Sequence, residues 1–349
     1  MKQEVGIIEE PEESKIYSAS LYPDHATFLP TDFPSFKFID LFAGIGGFRL
    51  AMQDVGGECV FSSEWDVDAQ KTYFQNFGEV PFGDITHIDE KTIPDHDVLC
   101  AGFPCQPFSL AGVSARNFRN TAHGFDCTTQ GTLFFEIERI LREKRPKIAF
   151  LENVRNLVNH DGGQTFAVIK ETIRSLGYSF SYKLIDASSV VPQRRVRCYM
   201  ICVRDDEEGF TFPDVSGQPL PLKSILETEV DVSYTISDKL WIGHQRRTAR
   251  NLERGTGFTA FCADLNRPSN TIVARYGKDG KECLVPQINQ NPRMLTPREC
   301  ARLQGFPEDF VIPNGKTSSY RQFGNSVAVP VIKLIATQIV KSYINVEEN

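Results

Sequence analysis

Apolar runs with the character of strands alternate with amphipathic segments with the character of helices from residue 36 to about residue 206. This alternation is typical of a doubly wound sheet with helices on both of its faces. A stretch rich in Pro and Gly, from Phe210 to Pro221, marks a boundary, and residues 207–317 show little strand periodicity. The pattern therefore predicts a large α/β domain at residues 36–206 and a second, smaller domain after it.

One apolar strand runs directly into a cysteine that lies between two prolines. The segment Asp97–Ser109 reads D-V-L-C-A-G-F-P-C-Q-P-F-S, and Pro104 fixes the backbone immediately before Cys105. Open α/β sheets place their chemistry at the carboxyl ends of strands, so Cys105 is a candidate nucleophile. A buried structural thiol is the alternative, and Cys100, inside the strand, fits that alternative better.

A glycine turn, F-A-G-I-G-G at residues 42–47, separates a buried strand from the start of an amphipathic helix. Such a turn is typical of a nucleotide pocket, but Arg49 stands where the dinucleotide fingerprint needs a third glycine, which argues against NAD. Glu64 ends the next strand, where a carboxylate can bind ribose hydroxyls, and Asp84 follows in G-D-I-T. These features favour an adenosine-containing ligand without phosphates, and S-adenosylmethionine fits that description.

Composition limits the class of protein. The 349 residues carry a net charge of −7, and much of the acid precedes Lys15, which predicts a poorly ordered N-terminal extension at residues 1–35. Nine cysteines without C-x-x-C spacing argue against a disulfide framework and against a zinc site, so no metal is expected. We find no apolar run long enough to span a membrane and no signal peptide, which predicts a cytoplasmic protein without a membrane partner.

Basic residues concentrate in one segment of the predicted smaller domain. Lys239 to Phe258 has the character of a helix, with Lys239, Arg246, Arg247, Arg250 and Arg254 in it and Glu253 as its acid. A solvated helix face and a surface that contacts DNA phosphates are both consistent with this pattern.

Several motifs follow one another in a fixed order. They are F-A-G-I-G-G, P-C-Q at 104–106, E-N-V at 152–154, Q-x-R-x-R at 193–197, R-x-L-T-P-R-E-C-A-R-L-Q-G-F-P at 293–307 and Q-F-G-N-S-V-A-V-P-V at 322–331. On these motifs the chain resembles the DNA (cytosine-5)-methyltransferases of bacterial restriction-modification systems, from Phe36 to the C-terminus. The resemblance implies the S-adenosylmethionine-dependent methyltransferase fold, a doubly wound mixed sheet. It also implies that residues 318–349 return to the catalytic domain and that residues 207–317 form a target-recognition domain.

The resemblance implies transfer of a methyl group from S-adenosylmethionine to C5 of a cytosine flipped out of double-stranded DNA, through a covalent adduct of Cys105 at C6. Glu152 would present a carboxyl group near N3, which works best with a raised pKa. Arg195 and Arg197, on one face of a strand, would hold the cytosine O2 and a phosphate and would lower the pKa of the thiol. The segment Gln106–Gly131 would be the mobile loop, with Gln130 where relatives usually have arginine.

The resemblance also implies two sets of binding residues. The cofactor residues are Phe42, Ala43, Gly44, Gly46, Gly47, Glu64, Trp65, Asp84, Ile85, Pro104, Leu133, Asn325 and Val327. The DNA residues are Gln106, Ser109, Arg116, Arg119, Gln193, Arg246, Arg247, Arg250, Arg275 and Lys278. The basic segment and A-R-Y-G-K-D-G at 274–280 look like the specificity regions of relatives that read short palindromes containing C-C.

Two other functions stay open from the sequence. An RNA methyltransferase on the same scaffold is one, and the absence of a C-F-T signature at Cys105 argues against it. A catalytically silent DNA-binding relative is the other, and only Gln130 favours it. The expected partners are double-stranded DNA and, functionally, a restriction endonuclease, and the expected form is a monomer.

Overall fold

The computed structural model describes residues 27–28, 34–104, 133–255, 257, 259–313 and 315–344. Most of the predicted N-terminal extension lies outside these ranges. Phe28, which is described, donates its backbone N–H to the Asn76 carbonyl at 2.9 Å and packs its ring 6.0 Å from the ring of Phe77. At least this part of the extension is therefore anchored on the large domain.

Six strands of the described chain form one sheet in the order β2-β1-β3-β4-β7-β5. Their bounds are β1 Phe36–Leu41, β2 Gly57–Ser63, β3 Val98–Gly102, β4 Ile148–Val154, β5 Ser181–Asp186 and β7 Val196–Val203. Strands β1 to β4 pair in parallel, whereas β7 pairs antiparallel with both β4 and β5. The sheet is therefore mixed, as predicted, and the carboxyl ends of its parallel strands meet at one edge.

Some of the helices cover both faces of this sheet. All the α-helices of the described ranges are α1 Gly47–Asp54, α2 Val67–Phe77, α3 Phe134–Lys144, α4 Gln164–Ser175, α5 Asp238–Glu253, α6 Tyr276–Asp279, α7 Pro297–Leu303, α8 Lys316–Asn325 and α9 Val329–Ile339. Helices α1 and α9 bury apolar side chains on one face, and α3 and α4 do so on the other. The alternation of β7 shows why both faces need cover: Tyr199 and Ile201 face the first cluster, while Cys198 and Cys202 face the second, as their even spacing predicts.

Residues 207–317 contain little strand, as their weak periodicity indicates. Ser269–Asn270 (β8) pairs in parallel with Gln193–Arg194 (β6), which precedes β7. Apolar residues of this region, Leu222, Ile272 and Leu295 among them, belong to the same buried cluster as the strands of the large domain. The domain boundary at residue 207 stays a prediction.

The expectation of no apolar run long enough to span a membrane needs a correction, because the C-terminal helical stretch Lys316–Ile344 is long and apolar enough by length and composition alone. Half of its most apolar window is buried inside the protein, and Ile332, Ile335 and Ile339 have no exposed surface. Burial of this kind is typical of a core helix, and α9 packs against α1 beside the glycine turn.

Candidate active site

A cleft of about 620 Å³ opens at the carboxyl edge of the parallel strands. Three segments form its walls: the β1–α1 turn from Phe42 to Phe48, the β2–α2 turn from Glu64 to Asp66, and the α8–α9 turn from Gly324 to Val327. The ends of β3 and β4, the arginines before and within β7, the segment Val273 to Arg275 and the side of α8 at Arg321 also line it. This is the edge at which open α/β sheets bind ligands.

The β1–α1 turn has a backbone that its glycines make possible. Gly44 and Gly46 have φ angles of 56° and 84°, in the left-handed region that other residues rarely adopt. A Cβ added to Gly44 would meet nothing within 4 Å, whereas one on Gly47 would lie 2.7 Å from Val327 Cγ2. The turn therefore leaves open space beside Gly44 and packs closely on the α8–α9 turn at Gly47.

Arg49 has a structural role that explains the departure from the dinucleotide fingerprint. Its guanidinium group is buried and bonds both carboxylate oxygens of Glu79, with Nη1 to Oε2 at 2.7 Å. The same group lies 4.7 Å from the centre of the Phe77 ring. Arg49 thus ties α1 to the end of α2, behind the cleft and not in it.

Glu64 is held rigidly at the mouth of the β2–α2 turn. Its Oε2 accepts the Gly44 N–H and its Oε1 accepts the Asp66 N–H, each at 2.8 Å. The side chain is buried, and this burial raises the pKa of its carboxyl group. Trp65, next to it, is 72 % exposed and lines the cleft. A fixed acceptor beside an open aromatic face suits a ribose and an adenine ring.

The side chains of Glu152 and Arg197 lie in contact at the other end of the cleft. Glu152 lies on β4 opposite Tyr199 of β7, and Arg197 Nε lies 3.3 Å from Glu152 Oε1. Burial raises the pKa of the Glu152 carboxyl, and the charges of Arg197 and Arg195 oppose that rise. The Glu152 carboxyl, at the edge of the cleft, therefore keeps its proton to a higher pH than an ordinary glutamate does.

Gln193 and Arg195 bond to protein groups, which differs from what the motif implied. Gln193 is fully buried; its Nε2 donates to the Leu303 carbonyl at 3.1 Å and its Oε1 accepts the Ile272 N–H at 2.8 Å. Direct contact of Gln193 with DNA, as predicted, is therefore wrong for this structure. Arg195 lines the cleft, but both of its terminal nitrogens donate to backbone carbonyls.

The structure brings most of the predicted cofactor residues together. Ten line the cleft: Phe42, Ala43, Gly44, Gly47, Glu64, Trp65, Pro104, Leu133, Asn325 and Val327. Gly46, Asp84 and Ile85 lie outside its lining; the Asp84 carboxylate accepts the Thr86 N–H at 3.0 Å. The predicted residues Cys105, Gln106, Ser109, Arg116 and Arg119, and also Gln130, lie outside the described residues.

The family described as C-5 cytosine-specific DNA methylase matches residues 36–341. The chain belongs to this family. It is a DNA (cytosine-5)-methyltransferase, and its cofactor is S-adenosylmethionine.

Named relatives agree with this methyltransferase over most of their length. It is 48 % identical to the Type II methyltransferase M.SsoII of Shigella sonnei, with 92 % of this chain and 84 % of the relative covered. It is 49 % identical to M1.ScrFI of Lactococcus lactis subsp. cremoris, with 95 % and 85 % covered. The crystal structure of the S. pombe Dnmt2 methyltransferase has the same fold, with a TM-score of 0.70 at 18 % identity over 88 % of this chain and 98 % of that one.

The predicted basic helix of the methyltransferase is α5. Arg246, Arg247 and Arg250 are exposed on it, and Arg247 Nη1 lies 3.7 Å from Asp279 Oδ2. Arg275 and Lys278 are also exposed, and Arg275 precedes α6 and lines the cleft. Arg275, with Val273 and Ala274 before it, thus lines the same cleft as Glu152 and Arg197.

Asn153 and Arg321 are two of the cleft residues of the methyltransferase that sequence reasoning missed. Asn153 Nδ2 donates to the Phe103 carbonyl at 2.9 Å, which fixes the chain as it leaves β3. Arg321 Nη2 lies 2.9 Å from Asp68 Oδ2 and 3.2 Å from Asp66 Oδ2, which joins α8 to the start of α2. The motif E-N-V contained Asn153, whereas Arg321 directly precedes Q-F-G-N-S, and no local pattern shows which distant group either residue contacts.

Proposed function

We propose that the chain methylates C5 of a cytosine that has been flipped out of a DNA duplex, through a covalent bond between Cys105 Sγ and C6 of the base. The observation that carries this proposal is the Glu152–Arg197 pair, which shares one cleft with Glu64 and the glycine turn. A stacked base cannot reach the end of a cleft in the protein, so the reaction requires base flipping. The loop for that step is residues 106–131.

The protein groups have separate tasks in the reaction. The Cys105 thiolate adds to C6, and the Glu152 carboxyl donates its hydrogen toward N3, which neutralises the electron pair displaced from the C5–C6 bond. S-adenosylmethionine, when bound, supplies the electrophilic methyl group that C5 then attacks. After neutral S-adenosylhomocysteine has left, a base removes the C5 proton, and the freed electron pair forms the C5–C6 double bond as the Cys105 thiolate leaves C6. The N3 proton then returns to the Glu152 carboxylate, which regenerates the acid. The raised pKa of Glu152 suits this hydrogen donation.

Arg197 orients the acid and contributes positive charge. Its Nε lies 3.3 Å from Glu152 Oε1 and its Nη1 donates to the Val196 carbonyl at 2.9 Å, so the guanidinium plane is fixed from two sides. A fixed cation at this end of the cleft favours the thiolate form of Cys105 and can bind the cytosine O2.

The DNA is expected to contact the exposed basic residues of α5 and of the segment that begins at Arg275. The arginines of α5 would contact DNA phosphates, and Arg275 and Lys278 would contact base edges. The names of the relatives, Type II methyltransferases, support a role in protecting host DNA from a restriction endonuclease. The recognition site we propose is a short palindrome containing C-C, read by a monomer.

Bisulfite sequencing of DNA from a bacterium that expresses the chain tests this function, because it reports the base, the site and the activity together. The matched control is Cys105→Ala. We expect protected cytosines at one short site with the natural chain and none with the variant. A duplex with 5-fluorocytosine at that site tests the covalent step, since fluorine blocks the final elimination. A trapped adduct that forms equally with Cys105→Ala would refute the assignment of the nucleophile.

A further inference from the structure

Arg195 joins three segments that are far apart in the sequence. Its Nη1 donates to the Ile272 carbonyl at 3.3 Å, and its Nη2 donates to the Gly324 carbonyl at 3.5 Å and to the Ser326 carbonyl. Ile272 lies in the predicted recognition region, and Gly324 and Ser326 lie at the end of α8. The side chain itself follows β6 at the entrance to β7. A single guanidinium group thus holds the recognition region and the C-terminal segment on the catalytic sheet.

Two glycines show how closely the recognition region and α8 approach each other. A Cβ on Gly324 would lie 2.3 Å from the Val273 carbonyl carbon and 2.5 Å from the Ala274 nitrogen. A Cβ on Gly277 would lie 2.8 Å from Tyr320 Cδ2. Backbone packs on backbone at the first contact, so a shift of either segment must displace the other.

The two segments lead to different ligands. Asn325 and Val327, directly after the contact in α8, line the part of the cleft that faces the glycine turn. Arg275, directly after Ala274, is exposed and is our candidate reader of DNA bases. Arg195 therefore lies between a cofactor wall and a recognition residue, within a few residues of each.

The burial of Arg195 makes this joint sensitive to its surroundings. The side chain is buried, and among the described residues its Nε has no hydrogen-bond partner while its two other nitrogens donate to neutral carbonyls only. Burial and the neighbouring charge of Arg197 lower the pKa of Arg195 to about 9. Burying a cation is costly unless its donors are paired, so the free energy of this joint depends strongly on where the three carbonyl partners lie. The contacts of Arg195 therefore favour the arrangement of the two segments that pairs its donors best.

We propose that Arg195 is a positioning residue that couples cofactor binding to DNA recognition, by holding the Ile272–Arg275 segment and the Gly324–Val327 segment in one arrangement. The inference rests on the proposed function, because it takes those two segments as parts of the DNA and cofactor sites. Such coupling is reciprocal: a duplex that tightens cofactor binding by some factor is itself bound more tightly by that factor when cofactor is present.

The test measures that factor by calorimetry. The Kd of S-adenosylhomocysteine, the cofactor without its methyl group, is determined with and without a saturating duplex that contains the methylated site. We expect the duplex to lower this Kd by about 5- to 150-fold for the natural chain, the usual range of allosteric coupling. Arg195→Lys keeps the charge but cannot reach both segments, so its factor should fall to near one while both ligands still bind singly.

A matched control and a second variant keep the result interpretable. Arg298 also donates to two backbone carbonyls, those of Pro307 at 3.2 Å and Phe310 at 2.9 Å, but away from the joint. Arg298→Lys should keep the natural factor. Gly324→Ala disturbs the same contact from the other side, should lose the factor as well, and decides the matter if Arg195→Lys does not fold.

Two results would overturn the inference, and a third would also overturn the proposed function. A coupling factor of one in the natural chain, or an Arg195→Lys variant with the same coupling factor as the natural chain, removes the coupling role of Arg195 but leaves the proposed function intact. Failure of the natural chain to bind either S-adenosylhomocysteine or any duplex overturns the proposed function, and the inference with it.

Discussion

Glu64→Ala is the sharpest test of how the cleft holds its cofactor. The substitution removes the carboxylate that accepts the Gly44 N–H and the Asp66 N–H, each at 2.8 Å. It also removes the group that we expect to bind the ribose hydroxyls. Two effects follow and they are measured separately: a loss of folding stability from the backbone amides, and a loss of cofactor affinity from the ribose.

The size of each effect follows from the contacts. Hydrogen bonds to a charged group contribute about 1.5–3 kcal/mol each, so two of them set an upper limit of about 3–6 kcal/mol on stability. The observed cost should be smaller, about 1–3 kcal/mol, because burial of the carboxylate is itself unfavourable and the open cleft admits water to the exposed amides. The lost ribose contacts should weaken S-adenosylmethionine binding by roughly 1–3 kcal/mol, which is about 5- to 150-fold in Kd.

Calorimetric titration with S-adenosylmethionine, at a temperature where every variant is folded, measures the affinity, and urea unfolding measures the stability. Glu143→Ala, on the exposed surface of α3, is the control and should change neither quantity. Asp84→Ala tests separately our expectation that the Asp84 carboxylate binds the adenine amine, since the structure places Asp84 outside the cleft lining. Unchanged affinity in both Glu64→Ala and Asp84→Ala would refute this cofactor pocket.

Three further predictions use other groups. If the reaction requires protonated Glu152, kcat/KM falls as the pH rises through the pKa of Glu152. Arg197→Gln removes a positive charge that lowers this pKa, so the alkaline limb of the pH profile should move to higher pH. A shift to lower pH would contradict the assignment. Burial raises the pKa of Asp40 from 3.8 to about 8, so the folded state keeps a proton that the unfolded state releases, and the free energy of unfolding should fall as the pH rises between these values. Asp40→Asn should flatten this dependence, measured by urea unfolding at about pH 5 and pH 8. A variant whose stability falls equally steeply would be inconsistent with this prediction. Arg250→Ala should weaken binding to every duplex and reduce by about one the slope of log binding constant against log salt concentration. Arg275→Ala should instead reduce discrimination among single-base site variants by roughly 1–3 kcal/mol. If neither variant changes the ranking of sites, the recognition residues lie elsewhere.

The parts of the site that sequence predicted well are those built by local structure. Glu64 and Glu152 each stand at or near the end of an apolar strand, and parallel strands bring their carboxyl ends to one edge. Strand periodicity alone predicts Glu64 at the cleft, whereas the prediction for Glu152 comes from the resemblance carried by E-N-V. Asp84, which is predicted by the same strand-end argument as Glu64, lies outside the cleft lining. The mixed sheet and the basic helix α5 follow from the motifs and from the spacing of arginines in the same way.

The parts that sequence predicted poorly depend on partners far along the chain. Gln193 bonds Leu303 and Ile272, and Arg195 bonds Ile272, Gly324 and Ser326, at separations of 77 to 131 residues. A polar residue in a strand has the same local pattern whether it meets DNA, solvent or a distant carbonyl. Only the packed structure distinguishes these outcomes, because buried polar groups must find partners wherever the fold provides them.

The order of strands explains how one cleft can hold all the groups of the proposed reaction. Neighbouring strands lie about 4.8 Å apart, so β2 and β7, four steps apart in the sheet, are separated by about 19 Å. Along that distance the strands present Glu64 after β2, the glycine turn after β1, the chain that reaches Cys105 three residues beyond the end of β3, Glu152 on β4 and Arg197 on β7. In the proposed reaction, this strand order separates the ribose end of the cleft from the base end, with the strand that precedes Cys105 between them. Because β7 enters antiparallel beside β4, its first residues, and not its last, reach this edge, and that reversal is what sets Arg197 against Glu152.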